Sequence, residues 1–177
     1  MASLSNAPSL LGSKSWPGTS PILAMFATGV AVITAPRDEG VPIGITVASF
    51  NSVSLNPPLI LFSVDRRSLS LPDLSVAKCY AINVLDESQQ EMSNRFAKAN
   101  TGKWDGIGMP VGDRGAAVLL PDALATFECE PYAQYDGGDH VIFVGRVARY
   151  QARTEGRPLI FFGGNYHALD SFRSLAA

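Results

Sequence analysis

Between Gly44 and Asp65 the chain reads GITVASFNSVSLNPPLILFSVD, an apolar frame interrupted by the hydroxyl residues Thr46, Ser49, Ser52, Ser54 and Ser63. Arg66, Arg67 and Ser68 follow directly. Small residues let the main chain approach a ligand closely, and hydroxyl and cationic groups further along can hold a polyol or a phosphate. Gly44, Ala48 and Ser49 give such clearance to a planar, hydrogen-bonding ring of the isoalloxazine type. Ser63, Arg66, Arg67 and Ser68 give donors to a polyol chain and phosphate, with Ser68 at an expected helix start. The alternative is that these Ser and Thr residues face solvent on half-buried strands.

Other catalytic signatures are absent. The chain has no G-x-x-x-x-G-K-[ST], no G-x-G-x-x-G after a strand, no G-x-S-x-G and no H-E-x-x-H. His140 and His167 are the only histidines, so a His-rich metal site is out of reach, and nothing positions a serine for a Ser-His-Asp triad. The chemistry is therefore expected to come from a cofactor. A net charge of −2 removes the general attraction to a phosphate backbone, which argues against nucleic acid as a partner. Cys79 and Cys129 lie far apart without the spacing of a zinc or redox pair, and are read as thiols of a reduced cytoplasm. No apolar run approaches the roughly 20 residues that span a bilayer, and residues 1–19 lack the apolar core of a secretory signal, so they are read as a loose tail on a soluble protein.

The elements that must carry these residues follow from periodicity and punctuation. With 46% hydrophobic residues over 177 positions, one domain over 20–177 is expected. Ser20 and Pro21 predict a helix start, with Ile22, Leu23, Met25 and Phe26 on one face and Gly29 at its end. VAVITA (30–35), 41–55 with an irregularity near Gly44, LILFSV (59–64) and CYAINVL (79–85) predict strands, with a short helix over 68–74. Ser88 and Glu91 suggest a capping box opening a helix to Ala99. Glycines and Pro110 make 101–115 a long loop, a candidate lid or partner surface. Strands return at 123–130, near Tyr132–Tyr135, at 140–151 and at 158–163. Six or seven strands adjacent in sequence, with few helices, predict a closed or nearly closed antiparallel barrel, with a β-sandwich as the alternative.

FATGVAVITA (26–35), GITVASFNSVSLNPPLILFSVD (44–65), AINVL (81–85), NRFA (94–97), GDHVIFVGRV (138–147) and PLIFFGGNYHAL (158–169) together resemble the flavin reductase-like family over about residues 20–170. The resemblance implies a mainly β, Greek-key-like split β-barrel that binds FMN or FAD, normally as a homodimer with the site near the subunit interface. Carried over by position, Gly44, Ile45, Thr46, Val47, Ala48 and Ser49 would edge the isoalloxazine, mostly through main-chain atoms. Ser63, Val64, Asp65, Arg67 and Ser68 would hold the ribityl chain and phosphate, and the stretch with Asn94, Phe96 and Ala97 would lie against the flavin. His140, Tyr166 and His167 resemble residues that dock the nicotinamide nucleotide. Lys98 departs from the glycine common at its place, which leaves two readings open there, an altered backbone without the family's phosphate contact or a lysine that favours an anion.

The implied reaction is hydride transfer from NADH or NADPH to flavin N5, with reduced flavin passing to a transient oxygenase partner. It needs stacked rings with reacting atoms roughly 3–3.5 Å apart, and no obligatory acid or base. His140 is thus expected to position and polarise, with proton donation secondary. Bland readings stand beside these. His140 would cap the hairpin opened by Gly137 and Gly138, His167 would begin a C-terminal helix, Trp104 would anchor its loop, and Phe161 and Phe162 would be core or interface aromatics. Two other functions also remain open: a flavin carrier without turnover, and oxidation of a pyridoxine-like phosphate, the latter disfavoured by the few basic residues near the pocket.

Overall fold

The two faces of AVITA explain why this run is buried throughout: Ala31, Ile33 and Ala35 meet a barrel interior, and Val32 meets a second apolar cluster under a helix. The computed structural model describes residues 22–37, 41–99, 102–107 and 118–169. Its elements are β1 (Thr28–Gly29), β2 (Ala31–Ala35), β3 (Ile43–Val47), β4 (Asn51–Leu55), β5 (Pro58–Asp65), α1 (Leu71–Val76), β6 (Tyr80–Val84), α2 (Gln90–Ala97), β7 (Ala125–Gly137), β8 (His140–Ala152), β9 (Ile160–Phe162) and β10 (Asn165–His167). Seven strands form one antiparallel sheet in the order β3-β2-β6-β7-β8-β5-β4, and β1-β9-β10 form a small second sheet. No helix among the described residues is long and apolar enough to cross a membrane.

The large sheet wraps one core. Ile33, Ile43, Val47, Phe62, Tyr80 and Phe143, drawn from β2, β3, β5, β6 and β8, share a single buried cluster, and because these strands belong to one continuous sheet, that sheet curls around its own core instead of facing a second one as in a sandwich. Within it Phe62 stacks on Phe143 at 5.1 Å, and Tyr80 meets both rings edge-on at 5.5 and 6.1 Å. Such aromatic pairs contribute about 0.5–1.5 kcal/mol each beyond their area. On the other side of β2, Val32 joins Leu85, Phe96, Trp104 and Leu159 in the second cluster. Buried Asn83 ties that side together, donating to the Val32 carbonyl at 3.1 Å and accepting from the Leu120 N–H at 2.8 Å.

The expected single strand over 41–55 is two strands on opposite edges of the sheet. β3 pairs with β2, whereas β4 pairs with β5, and no straight strand can serve both partners. The chain turns at Ala48–Phe50, and there Ser49 bridges the seam that backbone pairing leaves open. Its Oγ accepts from the Ser63 N–H at 2.9 Å and donates to the Ser63 carbonyl at 3.2 Å, doing for the edge of β5 what a neighbouring strand would do. The barrel is nearly but not fully closed.

Several boundaries differ from expectation for identifiable reasons. The described part of the expected first helix is a 3-10 turn, Leu23–Met25, and Ile22, Leu23, Met25 and Phe26 are exposed, so no buried face supports an α-helix there. Gly29 lies in β1. The capping box belongs to Asp86 and Gln89 rather than Ser88 and Glu91, because the charged Asp86 carboxylate accepts from both the N–H and the hydroxyl of Ser88 at 3.0 and 2.7 Å. The strands expected at 123–130 and near Tyr132–Tyr135 are one 13-residue strand, which passes Pro131 through register shifts. His167 stands on β10, not at a helix start, because Gly163 and Gly164 (φ 59° and 82°) turn the chain into a hairpin. The expected tail 1–19, the Ser20–Pro21 helix start and much of 101–115 lie outside the described residues.

Candidate functional site

At one end of the barrel, residues 41–45 at the start of β3, the turn after β5, the end of α2 and the 102–105 loop enclose a cleft of about 840 Å³. The loop is pinned from three directions. The Trp104 indole N–H donates to the Pro42 carbonyl at 2.7 Å, and its ring meets Phe96 edge-on at 4.9 Å. Lys103 Nζ donates to the Gly44 carbonyl at 3.0 Å and to the Phe96 carbonyl at 3.2 Å, capping one of the carbonyls that α2 leaves without a helical partner. Burial pushes the Lys103 ammonium below its usual pKa. Trp104 is thus the loop anchor of the plainer sequence reading.

Gly44 requires a correction. Its missing side chain was expected to make room for a ligand ring. A Cβ there would lie 2.2 Å from Phe96 Cε1 and 3.3 Å from Trp104 Cζ2, so the space that glycine leaves is taken by the protein's own aromatics. Gly44 still lines the cleft, but its role is to let α2 and the loop settle onto β3.

The charges around the cleft are arranged in pairs. Asp65 takes the Arg67 guanidinium at 2.7 and 3.1 Å and the Arg67 backbone N–H at 2.7 Å. These Arg67 bonds hold the Asp65 carboxyl well below the usual carboxylate range. Arg37 pairs with Asp73 at 2.6 Å. Ser68 lies in the turn, its N–H donating to the Asp65 carbonyl at 2.9 Å, and α1 starts later, at Leu71, so Ser68 is not the helix start expected from sequence.

Of the residues singled out from sequence, the cleft gathers Gly44, Ile45, Asp65, Arg67, Ser68, Phe96 and Ala97. Phe96 is fully buried, so it backs the cleft wall without presenting its ring to a ligand. Thr46, Val47, Ala48, Ser49, Ser63 and Val64 are not among the lining residues. Val47 and Val64 face the barrel core, and the Thr46 hydroxyl donates to the Ser93 carbonyl at 2.7 Å. Asn94 is exposed and borders a neighbouring recess of about 440 Å³. His140 opens β8 directly opposite Asp65, with Nδ1 2.7 Å from the Asp139 carboxylate, which sets it beside the Asp65–Arg67 pair but outside the cleft lining. Tyr166 and His167 are elsewhere. The Tyr166 hydroxyl shares a 2.8 Å hydrogen bond with Ser93 Oγ, and His167 Nε2 lies 3.1 Å from the Phe162 carbonyl. Within one chain, therefore, Tyr166 is linked to β3 through Ser93 of α2, and none of the three expected nicotinamide contacts is among the residues that line the cleft.

Sequence reasoning did not assign Arg37, Pro42, Leu69 or Lys103 to the site. Lys103 and Trp104 carried a faint signal, a cation and an indole flanked by Gly102 and Gly106 just after a helix. Arg37 carried none. With Lys98, these residues give the cleft more positive charge than the linear sequence suggested.

Comparison with known proteins bears on most of the chain. A family model described as "Flavin reductase like domain" matches residues 23–170. The FMN reductase (NADH) SmoA of Agrobacterium fabrum is 46% identical over 144 residues, covering 81% of this chain and 80% of the relative. The reductase subunit HsaB of a flavin-dependent monooxygenase from Rhodococcus jostii is 35% identical over 156 residues, covering 88% and 79%. The solved structure of a Streptomyces globisporus NADH:FAD oxidoreductase, in complex with NAD and FAD fragments, superposes with a TM-score of 0.80 at 32% identity, covering 89% of this chain and 92% of that one.

Proposed function

Since the chain belongs to the flavin reductase-like family, we propose that it is an NADH- or NADPH-dependent reductase of free FMN or FAD that supplies reduced flavin to a partner monooxygenase. The observation that carries this reading is the cleft itself. Val41, Pro42 and Leu69 offer apolar surface for a flat ring, and Arg37, Arg67, Lys98 and Lys103 place positive charge around it for a phosphate-bearing tail. That donor set fits a flavin nucleotide. The names of the relatives, an NADH-dependent FMN reductase and a monooxygenase reductase subunit, support the same activity and the same kind of partner.

When bound, a flavin supplies the redox chemistry by accepting hydride at N5. The protein's own part is to bind and orient. Lys103, Trp104 and Phe96 keep the cleft wall rigid, since the loop is tied to β3 by side-chain bonds rather than left free. The Asp65–Arg67 pair sets the charge at the rim, and His140, held by Asp139, stands next to that pair where it can orient the incoming nucleotide. The exposed apolar residues Ile22, Leu23, Met25 and Phe26, and Leu55 at the tip of the β4–β5 turn, support a homodimer in which a second copy covers them and brings further groups to the site. Two buried free thiols suit a cytoplasmic setting.

A steady-state assay of purified protein, crossing NADH and NADPH with FMN and FAD and following nicotinamide oxidation, tests the proposal. Rates that rise and saturate with free flavin are expected. No oxidation of either nucleotide at any flavin concentration would rule out the reductase and leave a flavin carrier.

A further inference from the structure

The side chains lining the cleft include four cations, Arg37, Arg67, Lys98 and Lys103, against two acids, Asp65 and Asp105, in a chain whose net charge is −2. Positive charge is therefore concentrated here, and three of the four cations are already engaged. Arg37 is held by Asp73, the Arg67 guanidinium by both oxygens of Asp65, and Lys103 Nζ by two main-chain carbonyls. Lys98 makes no hydrogen bond or ion pair among the described residues. It stands at the C-cap of α2 with extended backbone (φ −86°, ψ 144°), exposed, and with Gly102 and Asp105 it borders both the cleft and the neighbouring recess. A lysine at a helix C-terminus ordinarily satisfies the last carbonyls. Here Lys103 occupies the Phe96 carbonyl instead, so that structural duty does not account for Lys98.

We propose that Lys98 is a specificity-determining residue that contacts a phosphate of the nucleotide held in the cleft. The inference rests on the reading that the cleft binds flavin. A lysine ammonium acts as a mobile point charge with three donors, which suits a phosphate oxygen that arrives with the ligand and leaves with it. Among the described residues it is the cleft cation that gives up no protein partner on binding. The phosphate chemistry has two sources, the flavin's own phosphate and that of the nicotinamide nucleotide, and the two are separable by experiment.

The test compares the unaltered full-length protein with Lys98→Met, which keeps the aliphatic stem, and Lys98→Arg, which keeps the charge. Riboflavin, FMN and FAD are titrated by fluorescence quenching at low salt, and the KM for NADH is measured with riboflavin as acceptor. For Lys98→Met, FMN and FAD affinity are expected to fall about tenfold while riboflavin affinity stays within about twofold, and Lys98→Arg restores most of the loss. Unchanged FMN and FAD affinity with an NADH KM raised by a similar factor supports the inference with the nicotinamide nucleotide as the source. Two results overturn it: FMN, FAD and NADH all unaffected, or riboflavin weakened as much as FMN. If the unaltered protein quenches neither riboflavin nor FMN, the flavin reading of the cleft fails first, and the role of Lys98 falls with it.

Discussion

Replacing Gly44 by alanine introduces a methyl group 2.2 and 2.3 Å from two carbons of the Phe96 ring and 3.3 Å from Trp104. Ordinary contact begins near 3.4 Å, so the ring must retreat by about 1.2 Å. It has nowhere to go. Phe96 is 0% exposed, Trp104 is 7% exposed, and Trp104 is fixed by its bond to Pro42. Overpacking of this kind costs about 1–3 kcal/mol, and the enclosed rings put the value at the upper end. With a urea slope of about 1–3 kcal/mol per M, the unfolding midpoint should drop by roughly 1 M. Tryptophan fluorescence during urea unfolding reads this directly. Phe96→Leu removes the clashing ring atoms, so the cost of Gly44→Ala should largely vanish in the double variant, giving a coupling of about 1–2 kcal/mol in a double-mutant cycle. A Gly44→Ala protein within about 0.5 kcal/mol of the parent, additive with Phe96→Leu and yet unable to bind FMN, would show instead that the space serves the ligand.

Ser49→Ala removes both bonds to Ser63 across the barrel seam; the expected loss is about 1–3 kcal/mol, with faster hydrogen exchange at the Ser63 amide, and unchanged exchange there would contradict the role assigned to Ser49. Burial pushes Cys129 and Tyr80 up to about 12, whereas the unfolded chain releases these protons near pH 9 and 10. Above about pH 9 the unfolded state therefore binds fewer protons than the native one, and stability falls as pH rises, by up to about 1.4 kcal/mol per unit for each group. Thermal melts across alkaline pH should show the decline and a shallower one in Cys129→Ala, while a flat profile to about pH 11 would contradict the burial argument. His140→Ala should slow the nicotinamide half-reaction in stopped-flow measurements more than it weakens flavin binding, and the reverse pattern would remove His140 from the nucleotide side of the site.

The sequence by itself determined the strands and the family. Short, nearly unbroken apolar runs bounded by turn residues mark strands buried on both faces, so AVITA, LILFSV and YAINV declare themselves without reference to distant parts of the chain. The ordered set of motifs from FATGV to NYHAL was enough to indicate a split barrel that handles flavin. Tertiary structure alone decided what each face meets. Gly44 reads as clearance from sequence, yet whether a ligand or Phe96 fills that clearance depends on where α2 lands, some fifty residues later in the chain. β3 and β4 read as one strand, and only the closure of the sheet sends them to opposite edges and gives Ser49 its place at the seam. The charge of the cleft is likewise a long-range product. Arg37, Arg67, Lys98 and Lys103 come from three separated stretches that carry no common local pattern, because a binding surface is assembled by packing, whereas periodicity records only each segment's own fold.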